Sequence, residues 1–264
     1  MKTEQPIVLQ IKKIVNEASK IKTFIFDYRL DSEPGQFINL WIPRFDEKPF
    51  SISYQDDKKF AVTVACIGPF TEKMCSLKEG DLVGIRGPYG KSFNLKGKNI
   101  VLVGGGCGCG PLAFLADEAV KKKINVNFII GARTKDALLF LERMKKSNIK
   151  TFVTTDDGSF GVKGFATDLL KDFLEKNHID AVYSCGPEKM MKKVAEMCKN
   201  KKIYCELSLE RYMKCGFGIC GQCCMDDSGF RVCTDGPIIQ GEEALKLKEF
   251  GDYRRDASGK KVKL

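Results

Sequence analysis

A run of cysteines near the carboxyl end of this 264-residue chain limits its possible structure more than any other feature. Lys214 to Gly236 reads KCGFGICGQCCMDDSGFRVCTDG. Cys215, Cys220 and Cys223 have the C-x4-C-x2-C spacing of plant-type ferredoxins, and Cys233 follows after nine further residues. Soft thiolates suit iron, and the glycines between them let the backbone turn sharply. The spacing therefore predicts that these four cysteines bind a [2Fe–2S] cluster.

Three other roles fit these thiols less well. A zinc site usually pairs two C-x2-C units or adds histidine, and His178 is the one histidine of the chain. A disulfide framework is typical of small secreted domains, and the amino terminus lacks the apolar stretch of a secretory signal. Five cysteines within nineteen residues are too concentrated for structural thiols alone. Cys224 breaks the spacing and is predicted to be a spare thiol beside the cluster.

The composition predicts a soluble, cytoplasmic globular protein without a membrane span. Hydrophobic residues make up 43% and charged residues 30% of the chain, and no apolar run approaches the ~18 residues that a membrane helix needs. Twelve cysteines in a cytosolic chain indicate metal or redox chemistry before disulfides. The net charge of +10 comes mostly from scattered lysines without interleaved aromatic residues, which favours solvated helix faces over a nucleic-acid surface.

The first third of the chain, residues 1 to about 95, has the pattern of a small antiparallel β-barrel. Runs rich in β-branched and aromatic residues alternate there with turn residues. The predicted strands are Pro6–Val15, Lys22–Tyr28, Gln36–Ile42, Phe50–Tyr54, Lys59–Ile67 and Leu82–Arg86.

Two short segments of this third are candidates for holding a flavin. Lys48, Pro49, Phe50 and Ser51 place a cation, a stiff turn and a hydroxyl at the start of a strand, where donors can meet a ring edge and the cation a phosphate. The segment from Gly68 to Thr71 begins a short helix, and a helix start offers unpaired N–H groups to a pyrophosphate. Either segment alone is better explained as a plain turn.

From Lys98 onward, strand and helix patterns alternate, which predicts a doubly wound parallel α/β unit. Its strands are apolar runs typical of a parallel sheet that is buried on both faces. The predicted strands are Asn99–Val103, Val126–Ile130, Lys150–Thr154 and Ala181–Cys185, and the predicted helices are Pro111–Lys122, Ala137–Lys146, Phe165–Lys176 and Glu188–Lys199.

Two strand ends of this unit are candidates for a nucleotide site. Gly104 to Pro111 reads GGGCGCGP, and the backbone at Gly105, Gly106 and Gly108 could approach a pyrophosphate. A proline replaces the third glycine of the Rossmann fingerprint, and no acidic residue stands at the usual distance for a ribose, so a simple Rossmann dehydrogenase is disfavoured. The other strand end, Cys185, Gly186 and Pro187, is equally consistent with a nicotinamide contact and with a buried cysteine in a tight turn.

Taken in order, these motifs resemble those of the ferredoxin–NAD(P) reductase superfamily. With the cysteines at the carboxyl end, the chain resembles in particular the electron-transfer subunits of class B dihydroorotate dehydrogenases. The motifs that carry the resemblance are PGQF at Pro34–Phe37, KPFSIS at Lys48–Ser53, GPYGKSF at Gly87–Phe93, GGGCGCGP at Gly104–Pro111, DDGSFGVKGFATDLL at Asp156–Leu170, CGPEKMM at Cys185–Met191 and SLERYMKCGFGICGQC at Ser208–Cys223.

The resemblance implies three domains: an FAD-binding barrel over 1–95, an NAD-binding α/β domain over 96–205 and a [2Fe–2S] subdomain over 206–264. It also implies which residues hold the flavin. Lys48 to Ser51 would contact it, Thr63, Val64 and Ala65 would lie along it, and Phe70 and Thr71 would sit at its pyrophosphate. Lys48 stands where the family usually has arginine, and Phe70 where it usually has glycine.

The resemblance further implies a partner, an FMN-containing catalytic subunit that oxidises dihydroorotate, in a heterotetramer of two copies of each chain. Electrons would pass from that FMN through the cluster and FAD to NAD+, with no acid–base residue needed in this chain. The same motifs also fit the NAD(P)H-side subunit of a ferredoxin:NADP oxidoreductase, a sulfide dehydrogenase or a sulfhydrogenase. A redox sensor that turns nothing over is a further alternative, against which the flavin and nicotinamide motifs argue.

Overall fold

The structure is a computed structural model that describes residues 5–264. Its first part is a seven-stranded antiparallel sheet with the strand order β1-β7-β4-β5-β6-β3-β2. The strands are β1 Ile7–Gln10, β2 Lys13–Ala18, β3 Ile21–Phe26, β4 Phe37–Ile42, β5 Asp46–Gln55, β6 Phe60–Ala65 and β7 Leu82–Tyr89.

The two edge strands of this sheet, β1 and β2, follow one another in the chain with only Ile11 and Lys12 between them. The sheet must therefore curl until its edges meet, as a barrel does. The Ile11 N–H donates to the carbonyl of Asp81 and the Lys12 N–H to that of Ile25, so these two residues bridge the edges. The predicted single strand Pro6–Val15 was wrong in this detail, because the chain turns this corner at the buried Ile11.

The second part is a seven-stranded sheet with the order β11-β10-β9-β8-β12-β13-β14, parallel except for β14. Its strands are β8 Asn99–Gly105, β9 Asn125–Ala132, β10 Lys150–Thr155, β11 Val162–Lys163, β12 Ala181–Cys185, β13 Tyr204–Ser208 and β14 Ile238–Gln240. A further hairpin near the carboxyl terminus pairs β15 Tyr253–Arg255 with β16 Lys261–Lys263.

Six α-helices accompany the sheets within the described residues. They are α1 Pro69–Ser76, α2 Cys109–Lys121, α3 Leu141–Lys146, α4 Ala166–Lys176, α5 Glu188–Lys201 and α6 Gly241–Ala244. The predicted helix Ala137–Lys146 is only partly helical, because a short 3-10 turn at Lys135–Ala137 and an extended Leu138 precede α3. No helix of residues 5–264 is both long and apolar enough to cross a bilayer.

The strand order decides where ligands can bind. From β8 the chain adds β9, β10 and β11 on one side, and then returns to add β12 and β13 on the other side. The strand order therefore reverses between the parallel neighbours β8 and β12. In open α/β sheets the crevice at such a reversal, outside the carboxyl ends of the strands, is the usual ligand site. Both predicted nucleotide motifs lie there, since Gly105 ends β8 and Cys185 ends β12.

Candidate cluster, nucleotide and flavin sites

The segment 214–236, called the cluster loop below, brings the four predicted ligands together in two pairs. The Cys220 N–H donates to Cys215 Sγ over 3.5 Å, and the Cys233 N–H donates to Cys223 Sγ over 3.4 Å. The Cys215 and Cys220 side chains also interact with each other, as do those of Cys223 and Cys233. No three His, Cys, Asp or Glu side chains of residues 5–264 form a site for one metal ion. Two thiol pairs are what a two-iron cluster with four cysteine ligands requires.

Backbone N–H groups surround the Cys215 sulfur, which is the environment that a thiolate needs, whereas burial raises the pKa of the Cys233 thiol to about 12. Burial raises the pKa of the Cys215 thiol, but hydrogen bonds from the N–H groups of Cys220 and Phe217 outweigh burial and lower the pKa to about 6. Gly216 and Gly218 have φ of +85° and +88°, and this left-handed backbone turns the N–H groups inward. Thr234 Oγ1, buried and without a partner among the described residues, lies beside Gly218. The donor set therefore fits an iron–sulfur cluster.

The cluster loop is buried on one side and open on the other. Cys223 and Cys233 are buried in the apolar core, whereas Cys220 is exposed and the neighbouring Ile219 side chain is 79% accessible. Cys224 pairs through its backbone with Arg231 in an isolated β-bridge and takes part in neither thiol pair. A cluster held by the four predicted ligands would therefore lie close to the surface at Ile219.

Two barrel side chains hold the cluster loop against the first sheet. Asn39 Nδ2, from β4, donates to the carbonyls of Lys214 and Cys215 over 3.3 and 3.1 Å. Arg86 Nη2, from β7, donates to the Cys215 carbonyl over 3.4 Å. A Cβ on Gly216 would lie 3.0 Å from Asn39 Nδ2, and φ at Gly216 is +85°, so a larger residue would crowd this contact and strain the backbone.

A buried ion triad ties Arg211, three residues before the cluster loop, to helix α5. Arg211 donates from Nε to Glu249 over 2.7 Å and from Nη1 to Glu188, the first residue of α5. All three side chains are buried. Glu249 also accepts the Asp226 N–H over 3.0 Å, so the triad fixes the far side of the cluster loop as well.

A cleft of about 550 Å³ lies at the carboxyl edge of the parallel sheet. Of the predicted nucleotide residues, Gly105, Gly106 and Pro187 line it. The Thr154 hydroxyl faces no partner among the described residues although it is buried, and Thr154 also lines the cleft. An apolar cleft with a few polar groups is the form that ligand sites usually take.

Gly108, Cys185 and Gly186 lie behind the cleft and serve the packing of its two loops. A Cβ on Gly108 would lie 2.3 Å from the Cys185 carbonyl oxygen, and one on Gly186 would lie 2.9 Å from the backbone of Gly105. Cys185 is 1% exposed, and burial is the largest cause that raises its pKa well above the usual value. These glycines are required by the crossing of two loops, and their direct contact with a nucleotide stays a prediction.

Sequence reasoning missed several cleft residues. Arg133, Lys189 and Lys193 bring cations to the cleft, and Asp156 brings the acidic group that the fingerprint did not show. Arg133 and Asp156 directly follow β9 and β10, so the rule about carboxyl ends of strands could have found them. Lys189 and Lys193 are one helical turn apart on α5, which a helical projection could have shown.

The predicted flavin residues come together from β5, β6 and α1. Lys48 to Ser51 lie in β5, Thr63 to Ala65 lie in the paired strand β6, and Phe70 and Thr71 lie in the first turn of α1. The rings of Phe50 and Phe70 stack with centroids 5.9 Å apart. Val64 and Phe70 are buried, so either residue could meet a flavin through its backbone only.

Two polar side chains of this group are already engaged. Lys48 Nζ pairs with Asp46 and stands 5.8 Å from the ring centroid of Tyr212, beside the cluster loop. Thr71 Oγ1 accepts the N–H groups of Ile67 and Gly68, each over 3.0 Å, and so caps α1. The N–H groups of the first helical turn have no partner within the helix and remain the donors for a phosphate.

A disulfide between Cys66 and Cys75 spans this helix start. It joins the end of β6 to the last turn of α1 and thereby encloses Phe70 and Thr71 in a short loop. The sequence did not indicate this pair, since the cysteines of a cytosolic chain were expected to serve metal or redox chemistry.

Two family models match the chain. The iron-sulfur cluster binding domain of dihydroorotate dehydrogenase B matches residues 210–245, and the oxidoreductase NAD-binding domain matches residues 102–196. A Methanocaldococcus jannaschii protein named probable dihydroorotate dehydrogenase B (NAD(+)), electron transfer subunit, is 48% identical over 98% of this chain and 99% of its own length. The chain belongs to the family of dihydroorotate dehydrogenase B electron transfer subunits.

Solved structures agree with this family. The NADH-dependent reduced ferredoxin-NADP oxidoreductase superposes with a TM-score of 0.81 at 28% identity and covers 92% of this chain and 93% of its own. A ferredoxin NADP+ reductase from Neisseria gonorrhoeae with bound FAD and NADP superposes with a TM-score of 0.65 at 18% identity over 76% of this chain and 93% of its own, which shows a shared fold.

The comparisons confirm the predicted family, the fold class and the assignment to an NAD-linked oxidoreductase subunit. They also confirm, at the level of the family, the electron-transfer function and the cofactor set of FAD, iron–sulfur cluster and NAD. The family name implies a catalytic partner subunit for this chain, but the heterotetramer with two copies of each chain stays a prediction. The domain boundaries and the individual site residues stay predictions too, and β14 joins the second sheet from beyond the predicted boundary at 205.

Proposed function

We propose that this chain is the electron-transfer subunit through which an FMN-containing catalytic subunit oxidises dihydroorotate to orotate at the expense of NAD+. Cys215, Cys220, Cys223 and Cys233 would hold a [2Fe–2S] cluster, the barrel would hold FAD, and the cleft between α4 and α5 would take NAD+. FAD, when bound, supplies the exchange between two-electron hydride transfer and one-electron transfer that these partners need.

The position of the cluster loop carries this proposal. Asn39 and Arg86 fasten it to the barrel, and Arg211 with Glu188 fastens it to the first turn of α5, which borders the nucleotide cleft. One segment with four thiols thus touches both parts of the molecule that would hold a nucleotide cofactor. Its exposed side at Ile219 is the surface on which a partner subunit would bring its own cofactor near.

In this function the chain's own residues bind and orient the nucleotide cofactors. The Gly105 and Gly106 backbone and the cations Arg133, Lys189 and Lys193 would bind the phosphates of the dinucleotide. The first turn of α1 would take the FAD pyrophosphate, and the Phe50 ring, which stacks on the buried Phe70, would pack beneath it. Hydride transfer needs no acid or base from the protein, which agrees with the lack of a catalytic dyad among the predicted residues.

The first test is anaerobic purification followed by iron, sulfide and flavin analysis and a visible spectrum. We expect two irons, two sulfides and one FAD per chain and bleaching of the spectrum by NADH. Zinc in place of iron, or a protein without flavin, would contradict the proposal. Co-purification with an FMN subunit in equal amounts, at the mass of a heterotetramer, would support the proposed assembly.

A second candidate follows from the likeness to the NADH-dependent reduced ferredoxin-NADP oxidoreductase. In that case the chain would serve a partner that handles reduced ferredoxin and NADP+. The two functions differ in the electron donor, other than NADH, that reduces the cofactors of the co-purified complex. Bleaching by dihydroorotate supports the first, and bleaching by reduced ferredoxin or NADPH alone supports the second.

A further inference from the structure

Arg86 occupies an unusual place between the flavin-bearing strand and the first cluster cysteine. Its guanidinium donates from Nε to Glu47 Oε1 over 2.7 Å and from Nη2 to Glu47 Oε2 over 2.5 Å. The same Nη2 donates to the Cys215 carbonyl over 3.4 Å. Glu47 directly precedes Lys48 on β5, so this ion pair joins the predicted flavin strand to the cluster loop.

The Arg86 cation lies beside the backbone and the ring of the segment that surrounds Cys215. Its carbon Cζ is 5.7 Å from the ring centroid of Phe217, whose N–H is one of the donors to Cys215 Sγ. The Cys215 carbonyl that it contacts also accepts from Asn39. The Arg86 side chain is 13% exposed and the Glu47 side chain 24%. Water and salt therefore screen these two charges only weakly.

We propose that Arg86 is a positioning residue that raises the reduction potential of the cluster, and that Glu47 partly opposes it. This inference rests on the proposed function, since it requires the cluster that Cys215 would help to hold. Reduction adds one electron to a four-thiolate cluster and makes it more negative by one charge, with no bond formed or broken. A weakly screened cation beside a ligand favours the reduced form, and an anion beside the cation favours the oxidised form.

The geometry gives the two charges unequal weight. Arg86 contacts the ligand's own carbonyl, whereas Glu47 reaches the loop only through the guanidinium. Removal of the cation should therefore change the potential more than removal of the anion, and in the opposite direction. A merely structural pair would show no such opposition of sign, because loss of either partner would loosen the same contact.

The test is a potentiometric titration of the anaerobically purified full chain, with the cluster followed by electron paramagnetic resonance. For Arg86→Met we expect the equilibrium constant for cluster reduction to fall about tenfold, which is about 59 mV for a one-electron couple. Glu47→Gln should raise this constant about threefold. Arg86→Lys, which keeps the charge, should retain most of the wild-type value.

Arg29→Met is the matched control. Arg29 is also a barrel arginine with a carboxylate partner, Asp31, but its side chain is 55% exposed. We expect the control to leave the potential unchanged. An unchanged potential in Arg86→Met with full iron content would overturn the proposal.

A shift of the same sign in Arg86→Met and Glu47→Gln would also overturn it, because it would indicate a common loss of structure. If Arg86→Met binds too little iron to titrate, Glu47→Gln still decides through the sign of its shift. A wild-type chain that holds no iron would instead refute the proposed function, which the iron analysis shows before any titration.

Discussion

The cysteines at the strand ends of the second part of the molecule, called the strand-end set (Cys107, Cys109 and Cys185), lie in surroundings opposite to those of Cys215 in the cluster loop. Cys109 and Cys185 lie among buried side chains, where burial is the largest cause that raises the pKa of each thiol. Cys215 lies among backbone N–H groups that lower its pKa to about 6. Regular strands and helices use their N–H groups within the sheet or helix, whereas an irregular loop with glycines can turn them toward a sulfur. A backbone that turns its N–H groups toward a sulfur therefore favours the thiolate, which is the form that binds a metal.

Replacement of one cysteine from each set is the strongest way to test this difference. Cys223→Ser removes a buried ligand of the cluster loop and should abolish most of the iron and sulfide content of the anaerobically purified protein. Cys185→Ser should keep both, since its neighbour Ser208 interacts with this side chain and no predicted ligand does.

Cys224→Ser is the matched control within the loop, because Cys224 adjoins Cys223 but belongs to neither thiol pair. Iron and sulfide analysis with visible spectroscopy measures all three variants. Loss of iron from Cys224→Ser, or full iron in Cys223→Ser, would contradict the assignment of ligands.

The cluster loop also differs from the sheet in what holds it in place. The sheet relies on regular backbone hydrogen bonds, while the loop depends on the Arg211 triad. Arg211→Met would leave Glu188 and Glu249 buried without their cation, at a cost of about 3–5 kcal/mol. Urea unfolding followed by circular dichroism should show this loss of stability.

Arg231→Met serves as the control for this prediction. Arg231 lies in the cluster loop and pairs with Asp235, but its side chain is 45% exposed, so its loss should lower the free energy of unfolding far less than loss of Arg211 does. Equal effects of the two substitutions would mean that the buried triad has no special role in the loop.

The disulfide provides a third environment for cysteine, in which neither iron nor a buried thiol is involved. Cys66 and Cys75 are nine positions apart, and closure of such a short loop stabilises the folded chain by about 2–3 kcal/mol. A reductant should therefore lower the melting temperature of the wild-type protein and weaken the binding of FAD, whose predicted pyrophosphate residues lie inside the loop.

The double variant Cys66→Ser/Cys75→Ser is the control, since it has no disulfide to reduce. Its melting temperature and FAD affinity, measured by thermal scanning and flavin fluorescence, should match those of the reduced wild type and should not respond to reductant. A wild-type protein equally indifferent to reductant would show that the disulfide does not support this helix.

The three sets of cysteines were not equally predictable from the sequence. The ligand set was found because four cysteines and their glycines are close in the chain, so that local spacing determines the geometry. The strand-end motifs were found because the parallel pattern places them at one edge. Cys66 and Cys75 were missed because the fold of β6 against α1 brings them together, and no spacing rule describes that approach.

Contacts that only the fold creates also explain why other site residues were not predicted. Asn39 and Arg86 lie more than a hundred residues before the cysteine that they contact, and the sequence gives no sign of such a pairing. The cleft residues Arg133 and Asp156 directly follow strands that were predicted, so the sequence could have indicated them. Local patterns thus predicted the elements and the ligands, while the contacts that set their properties depend on tertiary structure.

The smallest expected effect concerns Cys107, the exposed cysteine of the strand-end set, which lies between β8 and α2. Although Cys107 is exposed, desolvation by the surrounding protein raises the pKa of its thiol, and the nearby Glu210 carboxylate raises it further, to about 11. A raised pKa means that the thiol keeps its proton at neutral pH, and only the thiolate reacts with iodoacetamide. The labelling rate at pH 7.5 should therefore lie well below that of an ordinary cysteine with a pKa of about 8.5, and it should rise roughly tenfold per pH unit up to pH 11 or so.

Mass spectrometry of the labelled peptide measures the rate, with the urea-unfolded protein as the control. Rapid labelling at neutral pH would mean that exposure alone governs this thiol and that the contrast between the two sets stops at the buried cysteines.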